Sequence, residues 1–225
     1  MNYNQFSNLS CYEEFEIQSA LTGISKIDVL KEIGHKIDDY YFFVSDDGIF
    51  NWFDLEGNHI KDPGILKELK AKHIPSSISK CIIPNSVTRI NEYAFSNCKS
   101  LKEIAIPNSV TYIGRYAFYN CISLTSITIP NNVKNIGGWA FQYCRSLKEI
   151  TIPNSVKSID NGAFSCCESL KEITITNNVT SIGAYAFSYC NSSKEVIFKG
   201  KTLEEVKRME NYPFGIADES IFKIN

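Results

Sequence analysis

The chain has 225 residues, 44% of them hydrophobic and 21% charged, which supplies a sizeable core and excludes a disordered composition. Its formal net charge of -2 lacks the broad basic excess that nucleic-acid binding draws on, so no nucleic-acid partner is expected. No run approaches the roughly 18 apolar residues of a spanning helix, so no membrane insertion is expected either.

The opening MNYNQFSNLSCYEEFEIQSA has neither the basic start nor the apolar run of a secretory signal. If Met1 is the natural start, a cytoplasmic protein is expected. A leader already removed would place it at the cell surface or make it secreted. Residues 1–75 are read as an N-terminal cap or small α+β domain. SKIDVLKEIGHKI is patterned as a helix, and YYFFVSDDGIFNWFDLEGNHI as two aromatic-rich strands around Asp47-Gly48, a hairpin signal. GILKELKAKH is predicted to be helical and to lead into the next segment. His35, His59 and His73 are the only histidines, and their separation by loops favours solvated or cap roles over a metal site. A nucleophilic Cys11 beside His35 or His59 has no spacing to support it.

Residues 76–198 repeat one phrase. CKSLKEIAIPNSVTYIGRYAFYNC at 98–121 is followed 23 residues later by CISLTSITIPNNVKNIGGWAFQYC, and five copies share the frame L-x-x-I-x-I-P-N-x-V-x-x-I-x-x-x-A-F-x-x-C. A constant period of this size means that each copy is one coil that cannot bury its apolar side alone and must stack on its neighbours. Within LKEIAI, alternation puts Ile104 and Ile106 on one face and Glu103 and Ala105 on the other, the pattern of a half-buried strand. Strands of successive coils are predicted to pair in parallel about 4.8 Å apart. Proline ends each strand by removing a ladder donor.

A second extended piece follows at VTYI, and then a column of Asn91, Gly114, Gly137, Asp160 and Gly183, residue types that tolerate positive φ. A left-handed turn is predicted there, followed by a tight helical turn with Ala117, Phe118 and Cys121 inward. Five of the eight cysteines, Cys98, Cys121, Cys144, Cys167 and Cys190, keep the period, while Cys11, Cys81 and Cys166 do not. That regularity marks a structural position, read as buried free thiols in preference to disulfides.

IPNSVTYIGRYAF, ITIPNNVKNIGGWAF and SLKEITIPNSVKSI resemble the BspA-like, or Treponema pallidum type, leucine-rich repeat over roughly residues 78–198. The resemblance implies a right-handed leucine-rich-repeat coil with strands lining one face, and a role in binding or adhesion at bacterial or protist surfaces. It brings no catalytic motif. The fold class is therefore an α/β repeat solenoid of about five 23-residue repeats, with an N-terminal α+β cap and a C-terminal helical cap.

Residues 199–225 form the predicted C-terminal cap. Thr202-Leu203-Glu204-Glu205 reads as a capping box opening a helix whose Leu203, Val206 and Met209 make one apolar stripe, and SIFKIN offers a last strand.

With no phosphate-cradling loop and no Cys-x-x-Cys pair, neither cofactor nor metal is expected. The candidate binding surface lies in the variable positions of the repeat. One strand-face column runs Lys80, Glu103, Ser126, Glu149, Glu172, Glu195; the next holds Ile82, Ala105, Thr128, Thr151, Thr174 and Ile197, and beside them stand Lys148 and Lys171. Two readings stand: a solvated face on which lysines offset glutamates, or a docking face for a basic protein segment or a hydroxyl-rich ligand. Tyr112, Tyr119 and Tyr143 offer a second surface on the turn side. The aromatics before Ala-Phe (Tyr93, Tyr116, Trp139, Tyr185) are predicted to pack ring on ring instead.

The functional reading is a non-enzymatic protein–protein interaction module, monomeric or weakly oligomeric. Its alternatives are a surface adhesin, or an enzyme housed in the N-terminal segment.

Overall fold

Ser25 begins the part of the chain described by the computed structural model, which covers residues 25–45, 48–56 and 58–224. Its side chain accepts from the Asp28 amide and caps α1 (Lys26–Ile33). Strands β1 (His35–Ile37), β2 (Tyr40–Val44), β3 (Phe50–Phe53) and β4 (His59–Ile60) follow as an antiparallel sheet in that order. Val29 and Leu30 of α1 pack on Tyr41, Phe43 and Phe53. On the opposite face Phe42 and Trp52 meet at 4.9 Å between ring centres. The hairpin expected around Asp47-Gly48 is present in its register, Val44 opposite Phe50, while Asp47 itself lies outside the described residues. Cys11 lies outside them as well. Residues 25–45 and 49–65 make one unit, and residues 66–224 belong to a second.

The second unit is a parallel β-solenoid, and its ladder reaches back to β5 (Glu68–Leu69). GILKELKAKH is thus not a helix: a strand and a single 3-10 turn (Ala71–His73) occupy it. Leu66 and Leu69 are fully buried at the spacing of Val87 and Ile90, and Leu69 pairs with Ile90. Burial in the shared apolar column outweighs the helix propensity of the segment.

Every coil but the third then offers two strands. They are β6 (Lys80–Ile82) and β7 (Arg89–Ile90) in coil one, and β8 (Glu103–Ala105) and β9 (Tyr112–Ile113) in coil two. Coil three has only β10 (Asn135–Ile136). Coil four has β11 (Glu149–Ile152) and β12 (Ser158–Ile159), coil five β13 (Glu172–Ile175) and β14 (Ser181–Ile182). After β15 (Glu195–Phe198), the short helix α2 (Leu203–Lys207) and β16 (Phe222–Ile224) close the unit, β16 pairing with β15. The capping box forms as read: Thr202 Oγ1 accepts from the Glu205 amide and Glu205 accepts from the Thr202 amide. The apolar stripe is incomplete, since Val206 is buried but Leu203 is 40% exposed.

The short strands run unbroken as β5-β7-β9-β10-β12-β14. The longer ones do not, contrary to the expectation of a continuous sheet: β6 pairs β8, β11-β13-β15-β16 form a separate ladder, and coil three contributes no strand between them.

Two further expectations are corrected. Positive φ does not fall at Asn91, Gly114, Gly137, Asp160 and Gly183; it falls at Tyr93, Tyr116, Trp139, Gly162 and Tyr185, and again at Asn97, Asn120, Tyr143, Cys166 and Tyr189. Gly114 is there for close approach, because a Cβ would stand 2.7 Å from the Asn91 carbonyl carbon and the Glu92 nitrogen of the coil before. Left-handed residues recurring so closely also break the predicted helical turn into successive β-turns, closed by bonds such as Ala117 N–H to Gly114 O at 3.2 Å. Each turn is tied to the next coil, with Phe118 N–H donating to Ala140 O at 2.7 Å. Left-handed L-residues cost about 1–2 kcal/mol each, and this inter-coil ladder offsets the strain.

The inward columns behave as predicted except at Ile104 and Ile106, which are only partly buried. Phe95, Phe118, Phe141 and Phe164 stack at 5.0–5.1 Å with rings within 7° of parallel. Beside them Cys121, Cys144, Cys167 and Cys190 each donate to the carbonyl of a phenylalanine one coil back, as Cys121 Sγ does to Phe95 O at 3.1 Å, while Cys98 Sγ donates to Pro75 O. The seven described cysteines are free thiols. Burial pushes Cys81, Cys98, Cys144 and Cys190 up to about 12, and Cys121 and Cys167 well above their ordinary value. Cys166, half-buried on the turn side, is the exception in burial. Alkylation of the native chain with iodoacetamide, read by peptide mass spectrometry, is expected to label Cys166 well before the other six described cysteines. Comparable labelling of Cys144 would contradict the packing described.

Candidate functional site

The strand face carries the acidic column. Parallel pairing sets Glu149 opposite Glu172 and Glu172 opposite Glu195, all exposed. Lys148 and Lys171 are exposed as well, yet among the described residues no ion pair engages any of these three glutamates. Glu103 is also exposed but sits on β8, in the ladder shared with Lys80, beyond coil three. The column predicted to be continuous is therefore divided in two.

Thr128 and Thr151 are exposed as read, whereas Thr174 is only 5% exposed and donates to Glu172 Oε1 at 3.2 Å. Between the two parts of the acidic column a cleft of about 560 Å³ opens, lined by Ser126, Thr128, Glu149, Thr151, Ser155 and Thr176 among others.

The turn-side aromatics are engaged with one another. Tyr93, Tyr116 and Trp139 stack at 5.0 and 5.4 Å, and the run stops at Gly162, where a Cβ would stand 2.5 Å from Trp139 Nε1. Tyr185, predicted to join it, is 71% exposed and has no ring partner among the described residues. Tyr119 and Tyr143 meet edge to face at 5.7 Å, both half-buried.

Three arginines, which reading the repeat for aromatics passed over, are part of this surface. The Arg89 guanidinium lies 4.1 Å over Tyr112 and pairs with Glu68 at 3.6 Å; Arg115 lies 4.6 Å over Trp139; Arg145 lies 5.5 Å over Tyr143 and pairs with Glu168 at 3.3 Å. The sequence signal was their closeness to the rings, as in Arg115-Tyr116 and Tyr143-x-Arg145.

Among the described residues no cluster of three or more histidine, cysteine, aspartate or glutamate side chains is arranged to hold a metal ion. His73 is buried, its Nδ1 accepting from the Lys70 amide at 3.3 Å, while His35 and His59 lie against Phe42 and Phe53. No helix among the described residues is long and apolar enough to cross a membrane.

Comparison with known proteins agrees with this architecture. A leucine rich cell surface protein of Faecalibacterium prausnitzii is 29% identical, with a TM-score of 0.58 over 80% of this chain and 43% of its own. A leucine-rich repeat protein of Bacteroides ovatus is 28% identical, with a TM-score of 0.56 over 73% of this chain and 49% of its own. The Treponema pallidum leucine rich repeat protein shares the fold at 24% identity, with a TM-score of 0.50 over 71% of this chain and 90% of its own. The chain spans less than half the length of the first two. No curated protein matches. The model of the BspA type leucine rich repeat region matches residues 73–213 in six copies. With more than half its length so matched, and with the coils, inward columns and paired strands in place, the chain belongs to the BspA-type leucine-rich repeat family.

Proposed function

We propose that the chain is a non-enzymatic recognition module that binds a protein partner through its strand face, in the manner of a cell-surface adhesin. The observation that supports it is the exposed row of Glu149, Glu172 and Glu195, held in register and, among the described residues, without cationic partners. Like charges directly opposite on neighbouring strands, about 4.8 Å apart, repel one another. A basic segment laid along the row relieves that repulsion, with Lys148, Lys171 and Thr151 at its margin setting the register of docking. Tyr112, Tyr119 and Tyr143 are secondary in this reading, since their rings are already spent on arginines and on each other. Surface placement is supported by the cell-surface protein among the structural neighbours. The six buried thiols do not oppose it, because burial holds them unreactive whatever the compartment.

The test is capture from the native source with the full chain and with Glu172→Lys/Glu195→Lys as baits. At least one protein should be recovered with the first and lost with the second, and its recovery should fall as salt is raised. Equal recovery removes the strand face as the docking surface. Protease treatment of intact cells that leaves the native protein untouched would end the surface reading.

A further inference from the structure

The strand face parts at one place. From Ser126 to Ile129 coil three has no strand, and among the described residues no hydrogen bond engages the backbone of Ser126, Ile127, Thr128 or Ile129. A single bond, Lys148 N–H to Thr125 O at 3.3 Å, joins coils three and four at the head of this stretch. The other sides of the coils stay closed: β9, β10 and β12 remain paired, and Phe118 and Phe141 donate at 2.7 Å to the coils that follow them. The opening is therefore confined to the strand side, where the cleft of about 560 Å³ lies. That size falls within the roughly 300–1,000 Å³ of small-molecule sites.

The lining is chemically specific. Ser126, Thr128, Thr151, Ser155 and Thr176 bring hydroxyls, Asn131 and Asn154 bring carboxamides, and Glu149 is the single charge. Ile127, Ile129 and Pro153, all buried, supply apolar surface beneath them. Ser155 Oγ and Thr176 Oγ1 are shielded and make no hydrogen bond; at the Ser155 position of the other coils, Ser86 of coil one is likewise unpartnered, whereas Ser109 of coil two donates to Val87 O at 2.7 Å. Shielded hydroxyls without partners carry a desolvation cost that a ligand bearing both donors and acceptors removes.

An anionic ligand finds no cation in this lining, and a cationic one finds a lone carboxylate. A flat hydrophobe would leave the hydroxyls unsatisfied. A pyranose ring fits both halves: each of its hydroxyls donates and accepts, and its C–H face lies on isoleucine and proline. We infer that the coil-three cleft binds a neutral saccharide, either as a free oligosaccharide or as a glycan carried by a partner. This goes beyond the protein-recognition reading and does not rest on it, for although Glu149 and Thr151 belong to both surfaces, Glu172 and Glu195 lie outside the cleft.

The test uses the full chain in saturation-transfer NMR with neutral hexasaccharides of glucose, mannose and N-acetylglucosamine. At least one should receive transfer from the wild type, and binding should weaken about tenfold or more in Thr128→Val/Thr151→Val and in Glu149→Gln, the loss of a hydrogen bond or two. Both variants change exposed side chains, and unaltered melting would verify that they fold. No transfer to any of the three sugars, or equal transfer in the variants, overturns the inference. A mannose-bearing glycoprotein, offered before and after enzymatic deglycosylation, separates the sources. Capture lost on deglycosylation points to a displayed glycan, and transfer to free sugar without capture points to an oligosaccharide. Capture that survives deglycosylation yet is lost in Thr128→Val/Thr151→Val means that the cleft reads polypeptide, which overturns the saccharide assignment and leaves protein recognition standing.

Discussion

Phe141→Ala is expected to destabilise the chain by about 3–5 kcal/mol, the range for truncating a fully buried aromatic residue. Phe141 is inaccessible to solvent and lies 5.1 Å from Phe118 on one side and 5.1 Å from Phe164 on the other. Its removal leaves a gap in a column whose neighbours cannot close on it, because each is pinned by its own turn ladder. The control is Thr151→Ala, one exposed hydroxyl on the strand face, for which a change within about 0.5 kcal/mol is expected. Urea unfolding of both variants, followed by circular dichroism, makes the comparison. Similar losses at the two positions would mean that the assignment of inward and outward faces is wrong.

Gly137→Ala is the second large effect. A Cβ at Gly137 would stand 2.7 Å from both the Arg115 nitrogen and the Gly114 carbonyl carbon, backbone atoms of the preceding coil that move only if the coils separate. Overpacking of this kind costs about 1–3 kcal/mol or more. The adjacent Gly138 supplies an internal comparison: its Cβ would meet nothing closer than Asn161 O at 3.3 Å, so Gly138→Ala should stay within about 1 kcal/mol of the parent. Melting temperatures of the two single variants decide the matter. A Gly137→Ala chain as stable as Gly138→Ala would show that the close approach does not govern the glycine.

The two glycines also show what reading the residues settles and what it misses. Leucine, isoleucine, valine, phenylalanine and cysteine recur at fixed places, and stacking identical coils has only one dry side to offer them, so the inward columns were legible without coordinates. The glycine column was legible as special but for the wrong reason. A glycine serves positive φ and close approach alike, and only the position of the neighbouring coil separates the two. Ala-Phe-x-x-Cys likewise fits one turn of helix as well as a chain of β-turns; what decides is that Phe118 N–H bonds to the next coil and not back along its own chain. Leu66 and Leu69 were hidden in a helix-like phrase because their coil lacks the rest of the frame.

The candidate surface divides in the same way. Exposure of Glu149, Glu172, Glu195 and Thr151 follows from strand alternation and was predicted correctly. Their separation from Glu103 was not, since the parting at coil three depends on backbone spacing, which apolar periodicity does not encode. One trace of it was present: LTSITI is the copy whose strand face bears no charged residue, whereas ISKCII keeps Lys80 and LKEIAI and LKEITI keep both lysine and glutamate.

The near-constant sequence distance across the ladders has a consequence for growth of the molecule. Thr111 bonds back to Thr88, and Thr180 to Lys157, each across 23 residues, so every coil closes a loop of the same length on the coil before it. Loop-closure entropy rises with loop length, not with the number of loops already closed, so a further coil meets the same entropic toll however many precede it. Duplication of a single coil in the gene therefore extends the protein without slowing the docking of its last turn, and tandem expansion becomes an inexpensive route to a longer molecule.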